Sequence, residues 1–280
     1  MRVLRLSYAE SESAPAFVAI TLDMDRWLHS LSVMWLTLVV FAATALVTGL
    51  IYGIMRMLTA NGRTRAFKAV SPGMLPPLGL VFGLLVGFLA AQVWGDSDRA
   101  RLAVNREASA LRTVSLLAAS FPGESETRIH ALLRRHIEDA VKLEWPAMAQ
   151  RRATLTPIPA PLAEALREAV SLAPQEDGQR IAQREIVTML QDALDARRQR
   201  IIISQSGINW VKWAGVILEA ILTLIAIACV HSESRGTSAI ALTIFASAAA
   251  VSLVLIASQE RPFTGPLSVA AETLQQVMPP

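Results

Sequence analysis

Long apolar stretches without charge dominate the pattern of this chain. Positions 31–55, 74–95 and 239–259 contain no Asp, Glu, Lys or Arg, and a fourth apolar stretch, 208–230, contains only Lys212 and Glu219. Each stretch exceeds the roughly 18 residues that are typical of a membrane-spanning helix. The pattern therefore predicts four transmembrane helices, at about 28–58, 76–95, 208–230 and 239–258.

The region between the second and third spans has a different pattern. Residues 96–206 are rich in charge, with basic and acidic side chains in nearly equal number, and apolar residues recur at helical spacing. Helices are predicted at about 96–121, 124–150, 161–172 and 177–204, the first of them continuing span two without a break. The apolar stripes of the second and fourth of these helices comprise Ile129, Leu132, Leu133, Ile137, Ala140, Val141, Ile181, Val187, Leu190, Leu194 and Ile201. A small helical bundle is the natural packing for such pieces.

Together these patterns predict an all-α membrane protein in which two transmembrane hairpins flank a soluble helical-bundle insert. Residues 1–27 are assigned to an N-terminal extension, 28–95 to hairpin one, 96–206 to the insert, 207–258 to hairpin two and 259–280 to a C-terminal tail. The N-terminus lacks the continuous apolar core of a signal peptide, and no signal-peptide cleavage site follows the first long apolar stretch, so we expect the first span to remain uncleaved.

Tryptophans indicate which span ends share a side of the membrane, because this residue prefers the interface. Trp27, Trp94, Trp210 and Trp213 all fall at span ends on the side of the insert. This agrees with four spans and with both termini on that side. Lys and Arg near the span ends are more numerous there, which favours a cytoplasmic insert, whereas the acid-free basic loop after span one favours the opposite orientation.

Composition agrees with a membrane protein and argues against several functions. Hydrophobic residues make up 53% of the chain and charged residues 18%, against about 25% charged in an average soluble domain. No basic patch with interleaved aromatic residues indicates nucleic-acid binding. The sequence has one cysteine, Cys229, and four dispersed histidines, so it predicts no disulfide and no metal site. It contains no cofactor motif and no catalytic constellation, so an enzyme is not expected.

A stripe of glycines follows one face of span two. Gly79, Gly83 and Gly87 recur every four residues, a spacing that lets another helix approach closely. The pattern predicts helix packing, and the partner helix is either in the same subunit or in another copy.

The opposite face of span two has the pattern of an ion pathway. Val81, Leu85 and Phe88 are followed by Gln92 and Arg99, which would form an apolar constriction opening into a basic vestibule. A lipid-facing stripe is the alternative for the three apolar residues. Gln92 and Arg99 favour the pore, since polar groups avoid lipid.

One acidic residue lies close to the middle of span three. Glu219 is about eleven residues into the span, where an ionisable group is expensive and is expected to face protein or water. It is predicted either to belong to an ion pathway or to be a protonated packing residue. Lys212 lies on the same face, but about 10.5 Å of helix separates the two positions.

Several local motifs resemble the bacterial bestrophin-like domain family of four-span membrane proteins. The matching residues include Glu107 with Arg106 and Ala108, Glu144 with Trp145, Arg197 to Arg200, and Pro262-Phe263-Thr264-Gly265-Pro266 after span four. The resemblance implies a homo-oligomeric, anion-conducting channel with a cytosolic helical region, in a bacterial plasma membrane. The bestrophin calcium clasp needs an acidic cluster, and only Glu260 and Glu272 follow span four, so calcium gating is not implied.

Four of the residues in these motifs have charges of opposite sign. Glu107, Glu144, Arg197 and Arg200 are expected either to form mutual ion pairs that hold the bundle together or to lie on a solvated charged face.

Two functions follow from this reading. The first is an oligomeric ion channel whose partners are the lipid bilayer and small ions. The second is a membrane-anchored scaffold or signalling module whose insert binds a protein partner.

Overall fold

The computed structural model describes residues 32–60, 72–156, 158–265 and 267–280. Its regular structure is helical throughout. The helices are α1 (Val33–Leu58), α2 (Leu75–Ala118), α3 (Glu124–Asp139), α4 (Trp145–Ala149), α5 (Ala160–Ser171), α6 (Asp177–Ser204), α7 (Trp210–Val230), α8 (Arg235–Gln259) and α9 (Glu272–Gln275). Helices α1, α2, α7 and α8 are long and apolar enough to cross a membrane. The predicted all-α fold with four spans is confirmed, while the hairpin and segment boundaries remain predictions; the N-terminal extension and Trp27 lie outside the described residues.

Helix α2 joins the membrane region to the insert. It has 44 residues, which at ~1.5 Å per residue is about 66 Å, twice the thickness of the hydrocarbon core. Pro76 and Pro77 occupy its first turn, where the missing backbone N–H groups have no helical partner to lose. Span two and the first insert helix are therefore one element.

In the membrane region α2 packs against α7 and α8. Phe82 of α2 and Phe245 of α8 bring their ring centroids to 5.3 Å, and Val216 and Ala220 of α7 belong to the same apolar cluster. A second apolar cluster joins α1 to α7 and α8 through Ile51, Leu224 and Leu242, among others.

The insert has one apolar core. The far half of α2 packs there with α3, α5 and α6, and fully buried side chains include Leu111, Ile129, Leu133, Leu162, Ile186 and Leu190. One residue of the predicted stripes is misplaced: Ile181 is 69% exposed. It lies close to the start of α6, where Ala182 and Ile186 instead face the core.

A wide turn interrupts the helix expected over 124–150. Residues Ala140–Glu144 form a π-helical turn, in which the backbone N–H of Trp145 donates to the carbonyl of Ala140. Pro146 has no N–H to donate to Lys142 and its ring crowds that carbonyl, which explains the break. The turn changes the direction of Glu144 and Trp145 relative to α3.

The C-terminal residues fold back onto the insert. Leu274 is fully buried in the insert core, and Arg134 Nη2 donates to the carbonyl of Pro279 at 3.2 Å. Gly265 adopts φ +85°, a left-handed conformation that glycine adopts without steric cost. The turn around Gly265 thus lets the chain reverse after α8.

Candidate ion pathway and buried charge network

Helix α2 presents an apolar face that no described residue covers. Val81 is 45% exposed and Phe88 is 71% exposed, whereas Leu85 and Gln92 are half-buried beside α7. Leu85 packs against the cluster that α2 forms with α7 and α8. Of the predicted pathway residues, Val81, Leu85 and Gln92 therefore lie along the edge of the exposed face nearest α7, and Phe88 lies nearer its centre.

The centre of that face contains two leucines that the sequence reasoning did not select. Leu80 and Leu84 are 65% and 51% exposed, and with Phe88 they recur every four residues. Their spacing of four residues is visible in the sequence, but in an apolar span the other faces are apolar as well. The exposed face is recognised only in the structure, where the opposite side of α2 packs against α7 and α8.

Polar and basic groups follow where α2 leaves the apolar region. Lys212 Nζ of α7 donates to Gln92 Oε1 at 2.5 Å, which links the two helices at the insert side of the membrane. Arg99 pairs with Asp96 at 2.9 Å, and its Nε also donates to the carbonyl of Gly95. The Arg99 side chain is nevertheless largely exposed. The structure thus adds Lys212 to the positions predicted from sequence.

The glycine stripe has no packing partner within the described part of the subunit. Gly79, Gly83 and Gly87 are exposed, and a Cβ added at any of them would meet nothing within 4 Å. Helices α7 and α8 pack on other faces of α2, so neither is the partner that the glycine stripe predicts. Of the two alternatives, a helix from another copy is therefore favoured.

Glu219 lies on the side of α7 that carries Lys212, the residue that bonds to Gln92 of α2. Lys212, seven residues earlier on the same side of α7, bonds to Gln92, so Glu219 lies about 10.5 Å deeper, at the depth of Leu85. Its Oε1 is buried, and neither it nor the buried hydroxyl of Thr223, one turn on, has a hydrogen-bond partner among the described residues. Buried polar atoms of this kind normally find a partner, so this position is suited to water or to a group from outside the subunit.

A second cluster lies in the insert, around Arg200. Both Arg200 and Glu107 are fully buried, and the guanidinium binds the carboxylate through two contacts, Nε–Oε2 at 2.8 Å and Nη2–Oε1 at 3.1 Å. His136 of α3 lies with Nε2 2.9 Å from Glu107 Oε1. Since an ionised carboxylate only accepts hydrogen bonds, that Nε2 is the donor. Three helices are joined at this one carboxylate.

Glu144 extends the cluster to the π-helical turn. Its Oε2 accepts from Arg200 Nη2 at 2.9 Å, and its Oε1 lies 2.6 Å from Arg197 Nη2. The predicted alternative of mutual ion pairs therefore matches the geometry, and a solvated charged face does not. The role of His136 could not be predicted, because a lone histidine 29 residues from Glu107 forms no local pattern with it.

Two aromatic residues also pack at the charge cluster around Arg200. The Trp145 ring lies 4.6 Å from Arg200 Cζ, within the range of a cation–π contact. Phe263 packs edge-on against Trp145 at 5.7 Å, and Trp145 Nε1 donates to the carbonyl of Val269 at 3.1 Å. The chain after α8 is held here as well: Val269 donates its backbone N–H to the carbonyl of Pro262 at 2.7 Å.

The charge of Glu107 is stabilised by its surroundings. Burial alone would raise the pKa of this carboxyl, but the positive charge of Arg200 and the hydrogen bond and charge of His136 outweigh burial. The result is a pKa lowered from 4.5 to about 2. Glu107 is therefore ionised across the physiological pH range.

We expect this carboxylate to make the fold sensitive to acid. Because the pKa of Glu107 is lower in the folded state, its ionisation stabilises the fold above about pH 4.5. This contribution to the free energy of unfolding, about 3 kcal/mol, is lost as the pH falls toward about 2. The melting temperature of wild type should fall steeply between pH 5 and pH 3, as followed by circular dichroism in detergent. Glu107→Gln should be less stable at pH 7 and should lose less on acidification; an equal loss in both proteins would contradict the assignment.

Comparison with known proteins gives a family and a fold. The model of the Bestrophin-like domain matches residues 41–274, and no curated protein sequence matches the chain. The crystal structure of a bacterial bestrophin homologue from Klebsiella pneumoniae, solved by Zn-SAD phasing, is similar with a TM-score of 0.64 at 14% identity, over 86% of this chain and 95% of that one. A single-substitution variant of such a homologue has a TM-score of 0.65 at 13% identity, over 86% of this chain and 96% of that one. The family match covers most of the sequence, and the chain therefore belongs to the Bestrophin-like domain family.

Proposed function

We propose that this protein is a homo-oligomeric ion channel in which α2 of each copy lines the pathway. The observation that supports this most is the uncovered face of α2, apolar at mid-membrane and basic beyond it. Around a central axis, Leu80, Leu84 and Phe88 form the constriction, with Val81 and Leu85 at its edge near α7. Apolar rings of this kind gate pores by dewetting. Membership of the family supports a channel over a membrane-anchored scaffold.

The charges at the insert side favour anions. Arg99, Arg106 and Lys212 lie along the α7 side of the pathway face. Within residues 92–106 of α2 the acidic residues are Asp96, which is paired with Arg99, and Asp98. A cleft with an excess of one sign of charge concentrates the opposite ion. The orientation proposed from sequence, with the insert and the termini in the cytoplasm of a bacterium, makes this the cytoplasmic vestibule.

Ion flux into proteoliposomes tests the channel directly. Purified protein should carry chloride down a gradient faster than sodium, as followed by a chloride-sensitive dye and by membrane-potential readout. Empty liposomes and liposomes with heat-denatured protein are the controls. Absence of flux for every small ion would overturn the channel and favour the scaffold.

The glycine stripe provides a test of the oligomer. We expect Gly83→Leu to split the oligomer in detergent while leaving the subunit folded, because the new side chain meets open space within the subunit but would block a close neighbour. Particle mass from light scattering and circular dichroism measure the two effects. Gly53→Leu on α1, with equally open surroundings, is the matched control. An unchanged mass for Gly83→Leu would remove the stripe from the interface.

Glu219 is proposed to border the pathway, at the depth of the constriction. Glu219→Gln keeps the shape but replaces the carboxyl group with an amide, so we expect a changed ratio of chloride to sodium flux. Thr223→Val, which removes the neighbouring unpartnered hydroxyl, serves as the uncharged control. If flux and selectivity both match wild type, Glu219 is a packing residue.

A further inference from the structure

A groove runs between α2 and α6 just outside the membrane region. It is open to the surface, has a volume of about 360 Å³ and is lined by Arg99, Leu102, Arg106, Gln199, Ile202 and Ile203. Arg99 and Arg106 follow Gly95 by four and eleven residues, so the groove extends from about 6 to about 16 Å beyond the end of the apolar segment. It faces the same side of α2 as the proposed pathway.

The two arginines of the groove differ in their surroundings. Arg99 is paired with Asp96, whereas Arg106 has no ion-pair partner within the described ranges, and no carboxylate lines the groove. They lie seven residues apart, almost two full turns, so both project from one side of α2. An unpaired guanidinium with a planar set of donors is suited to phosphate and carboxylate groups.

Apolar side chains occupy the rest of the groove. Leu102 and Ile202 are 53% and 50% exposed, although each belongs to a helix that is otherwise well packed. Gln199 adds an amide that donates and accepts hydrogen bonds. An apolar wall with a few polar groups is typical of sites for small organic ligands, which occupy roughly 300–1,000 Å³.

We propose that this groove binds a small soluble organic anion that combines a phosphate or carboxylate group with an apolar portion. The guanidinium of Arg106, with Gln199 beside it, holds the anionic group, and Leu102 and Ile202 contact the apolar portion. The volume fits one small molecule and is too small for a two-chain lipid. An effect of this ligand on conduction, from a position in the vestibule, rests on the proposed function. Binding of the ligand to the groove does not depend on that function.

Calorimetric titration of the intact, detergent-solubilised protein with phenyl phosphate tests the site. We expect saturable binding that Arg106→Gln weakens by about tenfold or more, the loss of one charge-assisted contact. Inorganic phosphate, which lacks the apolar portion, should bind several-fold more weakly than phenyl phosphate. Arg101→Gln is the matched control, because Arg101 is exposed at the same depth on another face of α2 and should leave binding unchanged.

Several results would overturn the proposal. These are no binding of phenyl phosphate, equal weakening by Arg101→Gln, or equal affinity for inorganic phosphate. Binding of short-chain phosphatidylglycerol without binding of phenyl phosphate would also overturn it, in favour of a lipid. A lower particle mass for Arg106→Gln, with unchanged binding, would assign Arg106 to a contact between copies instead. The titration measures binding and not ion flux, so a failure of the proposed binding site is distinguishable from a failure of the proposed channel.

Discussion

Replacing Arg200 by methionine is expected to destabilise the protein by about 3–5 kcal/mol, the cost of leaving a buried charge without its partner. Methionine fills similar space but cannot donate to Glu107, whose carboxylate has no access to water. The same change removes a donor from Glu144 and the cation that lies over Trp145. We expect a large drop in the melting temperature in detergent and a loss of ordered C-terminal chain, as measured by limited proteolysis.

Two further variants make this result specific. Arg198→Met removes an exposed arginine two residues away on α6 and should change stability by no more than about 0.5 kcal/mol. Arg200→Met combined with Glu107→Gln should recover part of the loss, because the second change removes the uncompensated charge. Equal stability of Arg200→Met and Arg198→Met would show that the network contributes little. No recovery in the double variant would show that Glu144 and Trp145 are the partners that matter.

Local patterns predicted the elements of this fold well. The charge-free stretches identify the spans, and helical spacing places the fourth insert helix at 177–204, where the structure has α6 (Asp177–Ser204). The continuous α2 was also expected, because residues 96–121, which follow span two directly, contain neither glycine nor proline. These properties depend on residues within a few turns of one another, which sequence shows directly.

What the sequence could not supply depends on distant contacts. Glu107 and Arg200 are 93 residues apart, so the sequence left open whether they form an ion pair or lie on a solvated charged face. The π-helical turn at Ala140–Glu144 was missed although Pro146 was visible, because a proline breaks, kinks or widens a helix depending on its neighbours. Leu80 and Leu84, at the centre of the exposed face of α2, were missed for another reason: a lipid-facing surface, a protein contact and a dewetted pore all accept leucine.

The charge network lies where several connections meet. It joins α2, which we propose lines the pathway, to α6, which leads directly into α7, and through Trp145 to the chain that follows α8. Near the membrane, Glu260 Oε1 accepts from the backbone N–H of Ile208 at 3.0 Å, which ties the end of α8 to the start of α7. The insert is thus attached to the spans at three points: through α2, through the connection from α6 to α7, and through the chain that follows α8.

Replacing Phe88 by serine is expected to raise ion flux on the order of tenfold, the effect of about 1.4 kcal/mol on a barrier. Phe88 is the most exposed large side chain on the pathway face of α2, and a hydroxyl there would wet an apolar constriction. Stability of the subunit should barely change, since the ring has few contacts to lose within it. Initial rates of chloride flux at equal protein density measure the effect.

Leu46→Ser on α1 is the matched control for this experiment. Leu46 is 71% exposed, as Phe88 is, but it lies on a helix that we do not assign to the pathway. If both serines raise flux equally, the increase reflects a general loosening of the spans. If neither does, α2 does not line the constriction. An increase confined to Phe88→Ser, together with a smaller increase for Leu84→Ser, would place the narrowest part of the pathway at the depth of Phe88.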